Sequence, residues 1–150
     1  MKDRPHSLAA IGLFAIVSVT TAAPLSAPAW NSPATRATGL DGNAAHGQYI
    51  AEHVAMCVEC HSGRDTSGAI LDAQRYMGAP IPVKHSDSDD WALRAPRNRG
   101  LPGYDDQQAL RLLMEGAISR TGTQLRPPMP RFRMTRQDAS DVIAFLRSLP

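Results

Sequence analysis

The chain reads as an all-α domain of about three main helices joined by long loops, with no convincing strand and no internal repeat. Three observations point there. Apolar residues recur at helical spacing in stretches that open on capping residues, most clearly after Thr135. The region from Ser62 to Tyr104 is punctuated by Gly63, Gly68, Gly78, Pro80, Pro82, Pro96, Gly100, Pro102 and Gly103 and is irregular. The only two cysteines in 150 residues stand together in Met56-Cys57-Val58-Glu59-Cys60-His61, between the first helix and that region.

Length allows one domain. A net charge of +2 is too small to argue for nucleic acid, and no phosphate-cradling glycine loop is present. Residues 1–29 read as a secretory signal peptide. Lys2 and Arg4 give a positive start, Leu8 to Val19 is apolar, and Ala27-Pro28-Ala29 fits a cleavage site before Trp30. The competing reading is an uncleaved anchor. The apolar run falls short of the ~20 residues a spanning helix needs, so cleavage and a periplasmic product with no membrane span are expected. Residues 30–40, rich in Ser, Thr, Pro and Ala, read as a mobile leader, and 41–150 as the folded domain.

Asp41 or Asn43 caps a first helix from about Ala44 to Met56, with Tyr49, Ile50, His53 and Val54 on one face. It delivers the chain into the cysteines. Two thiols on one tight turn can add across the two vinyl groups of a single haem, and His61 then lies under the iron as its proximal ligand. A Cys57–Cys60 disulfide would close a short, strained ring and leave His61 unexplained. Zinc wants four ligands, and there is no second cysteine pair. A thioredoxin-like redox pair expects a βαβ context that is missing. Aromatics make up only 5% of the chain, so a side-chain core would be thin, and a buried haem supplies apolar surface. It also explains the long loop, which can pack on a large rigid group. Asp87, Asp89 and Asp90 within it read as a solvated patch.

Asp105 or Asp106 starts a second helix to about Glu115, ended by Gly116, with Leu110, Leu113 and Met114 as its apolar stripe. Thr135 to Leu149 is the clearest helix. Thr135 is its N-cap, Asp138 follows three residues on, and Ala139, Val142, Ile143, Leu146 and Leu149 form the stripe. Between these helices, Arg126-Pro127-Pro128-Met129-Pro130 offers the second axial ligand. Three prolines restrict the loop, so Met129 sulfur is presented at low entropic cost. Other donors are weaker. Met56 is adjacent to Cys57, Met134 precedes the N-cap and packs as a staple on Ala139, and Met77 lies in the long loop. His46, His53 and His85 would give a bis-histidine haem. Arg120, Arg126, Arg131, Arg133 and Arg136 surround the methionine loop, with no acid between Glu115 and Asp138. They read either as a surface for an acidic partner or as solvated cations, some pairing with haem propionates.

The order of helix, Cys-x-x-Cys-His, long loop, helix, Pro-Pro-Met-Pro and terminal helix resembles class I cytochromes c. It is more similar still to bacterial monohaem domains that accept electrons from periplasmic or membrane-bound dehydrogenases, alcohol dehydrogenase cytochrome subunits among them. Gly47-Gln48-Tyr49-Ile50-Ala51, Cys57 to His61, Gly78-Ala79-Pro80-Ile81-Pro82, Arg126 to Pro130 and Asp138 to Leu149 carry the likeness. Those subunits usually hold several haem motifs, and this chain has one. Many relatives read Pro-Asn-Ile-Thr where this chain has Ala95-Pro96-Arg97-Asn98-Arg99. The resemblance implies the cytochrome c fold around one covalent haem c, with His61 and Met129 on the iron. It also implies a Pro96 carbonyl that accepts the other imidazole proton of His61. With both axial positions filled, the implied role is an electron carrier rather than an enzyme. It would run between a dehydrogenase donor and an oxidase or another cytochrome as acceptor. The rival readings are a haem sensor or peroxide-reactive protein with a displaceable Met129, and a non-haem interaction domain.

Overall fold

The computed structural model describes residues 40–83 and 90–150. Residues 1–29 and 30–39, read above as signal and leader, and His85, Asp87 and Asp89 lie outside the described residues. Leu40, counted with the leader by composition, is buried in the core.

Asn43 caps α1 (Ala44–Tyr49), its side chain accepting from the Ala45 and His46 N–H groups. The helix then widens into a π-helical turn, Ile50–Val54, closed by Ala55 N–H on the Ile50 carbonyl at 2.7 Å. This matches the expected first helix in place, but not in the face it buries. Gly47, Ile50 and Ala51 point inward, while Tyr49 and Val54 are exposed. The cause is a close helix crossing. α1 packs on the terminal helix α4 (Arg136–Ser148) at Gly47, where a Cβ would sit 1.9 Å from the Asp141 carbonyl oxygen. Apolar periodicity gives glycine no weight, and the π turn shifts the register after Ile50.

Asp141 fastens the crossing. Its buried carboxylate accepts from Asn43 N–H at 2.6 Å and Gln137 Nε2 at 2.8 Å, and it bonds His46 Nδ1 at 2.8 Å. A buried carboxylate is tolerated when its oxygens are bonded in this way.

The long loop is less irregular than the sequence suggests. It holds a 3-10 turn, Asp72–Gln74, and an antiparallel pair of β1 (Ala79–Pro80) with β2 (Arg94–Ala95). Two-residue strands are too short to leave an alternating pattern. Tyr76 pins the loop to the core. It is 1% exposed, its N–H donates to Ser62 Oγ at 3.1 Å, and its ring meets Phe145 edge-on at 5.6 Å. Burial, then the charge of Glu52, pushes its phenol pKa up, so it stays protonated.

α3 (Asp106–Met114) opens on Asp105 with a full capping box. Gln108 N–H donates to Asp105 Oδ1 at 2.8 Å, and Gln108 Oε1 accepts from Asp105 N–H at 3.1 Å. Ala109, Leu110 and Leu113 are buried, and Met114 packs half-buried against the core. Gly116 then turns the chain at φ 94°, a conformation favouring glycine. α4 opens on Thr135, whose Oγ1 accepts from Asp138 N–H at 3.1 Å. Every residue from Ala139 to Leu146 is buried, more than the single expected stripe, because α4 lies against both α1 and α3. Among the described residues no helix is long and apolar enough to cross a membrane.

Candidate functional site

The π turn ends at Ala55, and Met56 takes a left-handed conformation, φ 53°. That residue redirects the chain into α2 (Cys57–His61), a single turn. Residues three apart share a helix face, so Cys57 and Cys60 lie on one side of it and His61 follows directly. Glu59 on this turn pairs with Arg64, which also donates to the Gly68 carbonyl at 2.7 Å and holds α2 to the next loop.

Neither cysteine is in a disulfide, and both are half-buried. Burial pushes the Cys57 thiol up to about 11, and burial with the charge of Glu59 also raises Cys60. Such thiols are protonated at neutral pH. Among the described residues no group of three or more His, Cys, Asp and Glu side chains is placed to hold a metal ion.

His61 is buried, and its Nδ1 lies 2.7 Å from the Pro96 carbonyl oxygen. Burial holds its pKa below the usual imidazole value, and the bond to Pro96 only partly opposes this, so the ring is neutral. A carbonyl can only accept, so the proton sits on Nδ1 and donates to Pro96, leaving the Nε2 lone pair for a ligand.

Cys57, Cys60, His61, Pro96 and Met129 line one cavity of about 460 Å³, within the ~300–1,000 Å³ usual for cofactor sites. α3 walls it with Ala109, Leu112 and Leu113, and α4 with Val142, Ile143 and Leu146. Met129 sits in a loop tied to its neighbours by backbone bonds. Ala92 N–H donates to Pro127 at 2.7 Å, Met129 N–H to Arg126 at 3.3 Å and Met134 N–H to Leu113 at 3.1 Å. Among the described residues, Met56 is the one other methionine on the cavity and His61 the one histidine. Met77, Met134, His46 and His53 do not line it.

Exposed Arg94, Arg97 and Arg126 stand at its mouth. Arg94 and Arg97 escape the sequence reading; the nearness of Arg97 to Pro96 along the chain is the one signal that could have found it. Of the five arginines expected around the methionine loop, only Arg126 lines the cavity, and it pairs with Asp90 at 3.4 Å. The guanidinium groups of Arg120 and Arg133 rest over Gly103 and Gly116.

Two thiols, a neutral imidazole and a thioether on one apolar cavity with a cationic mouth fit a flat apolar macrocycle that bears two carboxylates. The family model for cytochrome c matches residues 44–150. The chain belongs to the cytochrome c family. No curated protein matches it. The helices and loops described above are those of the cytochrome c fold, and the cytochrome carries one covalent haem c with its iron. Cys57 and Cys60, the only cysteines in the sequence, are the two thiols present in the Cys-x-x-Cys-His arrangement on this cavity.

Proposed function

We propose that this cytochrome is a periplasmic electron carrier whose iron is held by His61 and Met129, and that it is not itself a catalyst. The observation that carries the reading is that both donors line the cavity of the two cysteines, Met129 on a loop restricted by prolines. Haem, when bound, supplies a one-electron ferric/ferrous couple. The protein sets its conditions. Pro96 orients the His61 ring and raises its basicity. Met129, a neutral thioether, favours the ferrous state and so a higher potential. α3 and α4 keep water from the apolar cavity, and the arginines at the mouth face solvent.

Met129→Ala tests the ligand. The variant should keep its covalent haem but give a high-spin or water-ligated ferric spectrum, without the methionine–iron band near the red end. An unchanged low-spin, methionine-type spectrum would assign the position to another residue. Export is checked separately. N-terminal sequencing of periplasmic material should find a start at or near Trp30, and an intact Met1 in the membrane fraction would contradict cleavage.

The partner surface is read from the charge at the cavity mouth. Arg94, at the mouth, and Arg131, two residues past Met129 and off the cavity, are exposed and have no ion pair among the described residues. If an acidic donor docks there, Arg94→Glu with Arg131→Glu should slow reduction at low salt. The gap should close at high salt, because the screening length falls from ~30 Å at 0.01 M to ~8 Å at 0.15 M. Second-order reduction rates over a salt series measure this. Parallel, salt-independent rates would reduce both arginines to solvated charge, and a large shift in potential would instead indicate pairing with the haem carboxylates.

A further inference from the structure

A second concavity of about 650 Å³ shares no residue with the haem cavity. α4 separates the two, turning Val142, Ile143 and Leu146 to the haem cavity and Phe145 and Ser148 to this cleft, which Leu149 just past its end also lines. Ala44, Ala45 and Gln48 of α1 form another wall.

The charges in the cleft do not cancel. Glu52 is fully engaged: Oε1 accepts from Arg75 Nη1 at 3.0 Å and Oε2 from Gln48 Nε2 at 3.3 Å. Arg75 also bonds Asp72 at 3.1 Å. Arg99 has no carboxylate within ion-pair distance among the described residues, and its Nε is buried with no hydrogen-bond partner. Its backbone is nonetheless fixed. Arg99 N–H donates to the Tyr76 carbonyl at 3.1 Å, and Gly100 N–H donates to Leu146 at 2.8 Å. Arg99 therefore lines the cleft from a backbone held by hydrogen bonds, in company with the apolar Phe145 and Leu149.

These features select the ligand. A cation would have to compete with Arg75 for Glu52. A polyanion would want more than one free cation and a polar cradle. A single carboxylate suits Arg99, because a guanidinium bonds both carboxylate oxygens at once. Ala44, Ala45, Phe145 and Leu149 suit an apolar body on that carboxylate. We propose that this cleft binds a small organic monocarboxylate, its carboxylate on Arg99 and its apolar part against Phe145 and Leu149. The site is independent of how the iron is ligated.

The test is a titration of the reduced, ¹⁵N-labelled holoprotein with sodium benzoate, followed by amide NMR shifts, with sodium chloride at matched ionic strength as control. Amides of Ala45, Gln48, Gly100 and Leu149 should shift and saturate, with a Kd of roughly 0.1–10 mM, as one charge-assisted contact and modest apolar burial allow. Arg99→Gln should weaken binding by about tenfold or more, and Arg99→Lys by less. Ala45→Phe, which fills the cleft but keeps Arg99, should block binding. All three variants should keep the wild-type visible spectrum, showing that the fold is intact. Shifts equal to those from chloride, equal binding by wild type and Arg99→Gln, or shifts confined to Arg94 and Arg97 would each overturn the proposal.

Discussion

His61→Ala is expected to give no stable holoprotein. Three losses fall on one side chain. Truncating a buried ring of this size costs about 3–5 kcal/mol where the site cannot collapse. The Pro96 carbonyl, now 2.7 Å from Nδ1, loses its donor, which adds about 1 kcal/mol, since Pro96 is exposed and water can take over part of the bond. The proposed proximal ligand also disappears. Small domains are held by only ~5–15 kcal/mol in total, so the first two losses alone approach the lower end of that range. The measurement is the yield of haem-stained protein and its visible spectrum, with and without added imidazole. Imidazole should restore low-spin character to any residual protein, since it replaces the ligand without mending the backbone bond. A variant with wild-type yield and spectrum would remove His61 from the iron.

Gly47→Ala should be the most damaging single change away from the haem. The added Cβ would sit 1.9 Å from the Asp141 carbonyl oxygen, 2.3 Å from its carbonyl carbon and 2.8 Å from Val142 nitrogen. All three are backbone atoms of α4, so no side chain can move aside. Alanine gains about 1 kcal/mol of helix propensity over glycine. The clash exceeds this, because relieving it lifts α1 off α4 and stretches the bonds of Asn43 and His46 to Asp141. A net loss of about 3 kcal/mol, at the upper end for overpacking, corresponds to a melting point lower by roughly 12–24 °C in a domain of this size. Thermal melts by circular dichroism would show it, with the exposed Gln48→Ala as a control expected to change little. If Gly47→Ala melts within a few degrees of wild type, the crossing is looser than described.

The two substitutions mark what the sequence can and cannot tell. The haem turn is legible because its chemistry is local: two thiols and an imidazole within five residues need no tertiary information. The terminal helices are legible for the same reason, since Asp105, Gln108, Thr135 and Asp138 make their caps inside their own segments. The buried face of α1 is not legible. It depends on Gly47, a residue without a side chain, meeting a helix whose contact residue Asp141 lies 94 positions later. The β1–β2 pair is hidden by its brevity, and Arg94 and Arg97 are hidden because only folding brings them to the cavity mouth. Met129 is a middle case. Its prolines suggest a held sulfur, but its meeting with His61 on one cavity is a fact of the fold.

The α1–α4 crossing also bears on the order of events during synthesis. α4 supplies both the seat for α1 and one wall of the haem cavity, through Val142, Ile143 and Leu146. Chains emerge N-terminus first. The ribosome therefore releases the cysteines and His61 long before the wall that will enclose them. Until α4 is made, α1 has no partner, and Asn43 and His46 have no Asp141 to bond. A growing chain thus keeps its thiols open to solvent throughout its elongation. The pocket closes only when the last helix arrives.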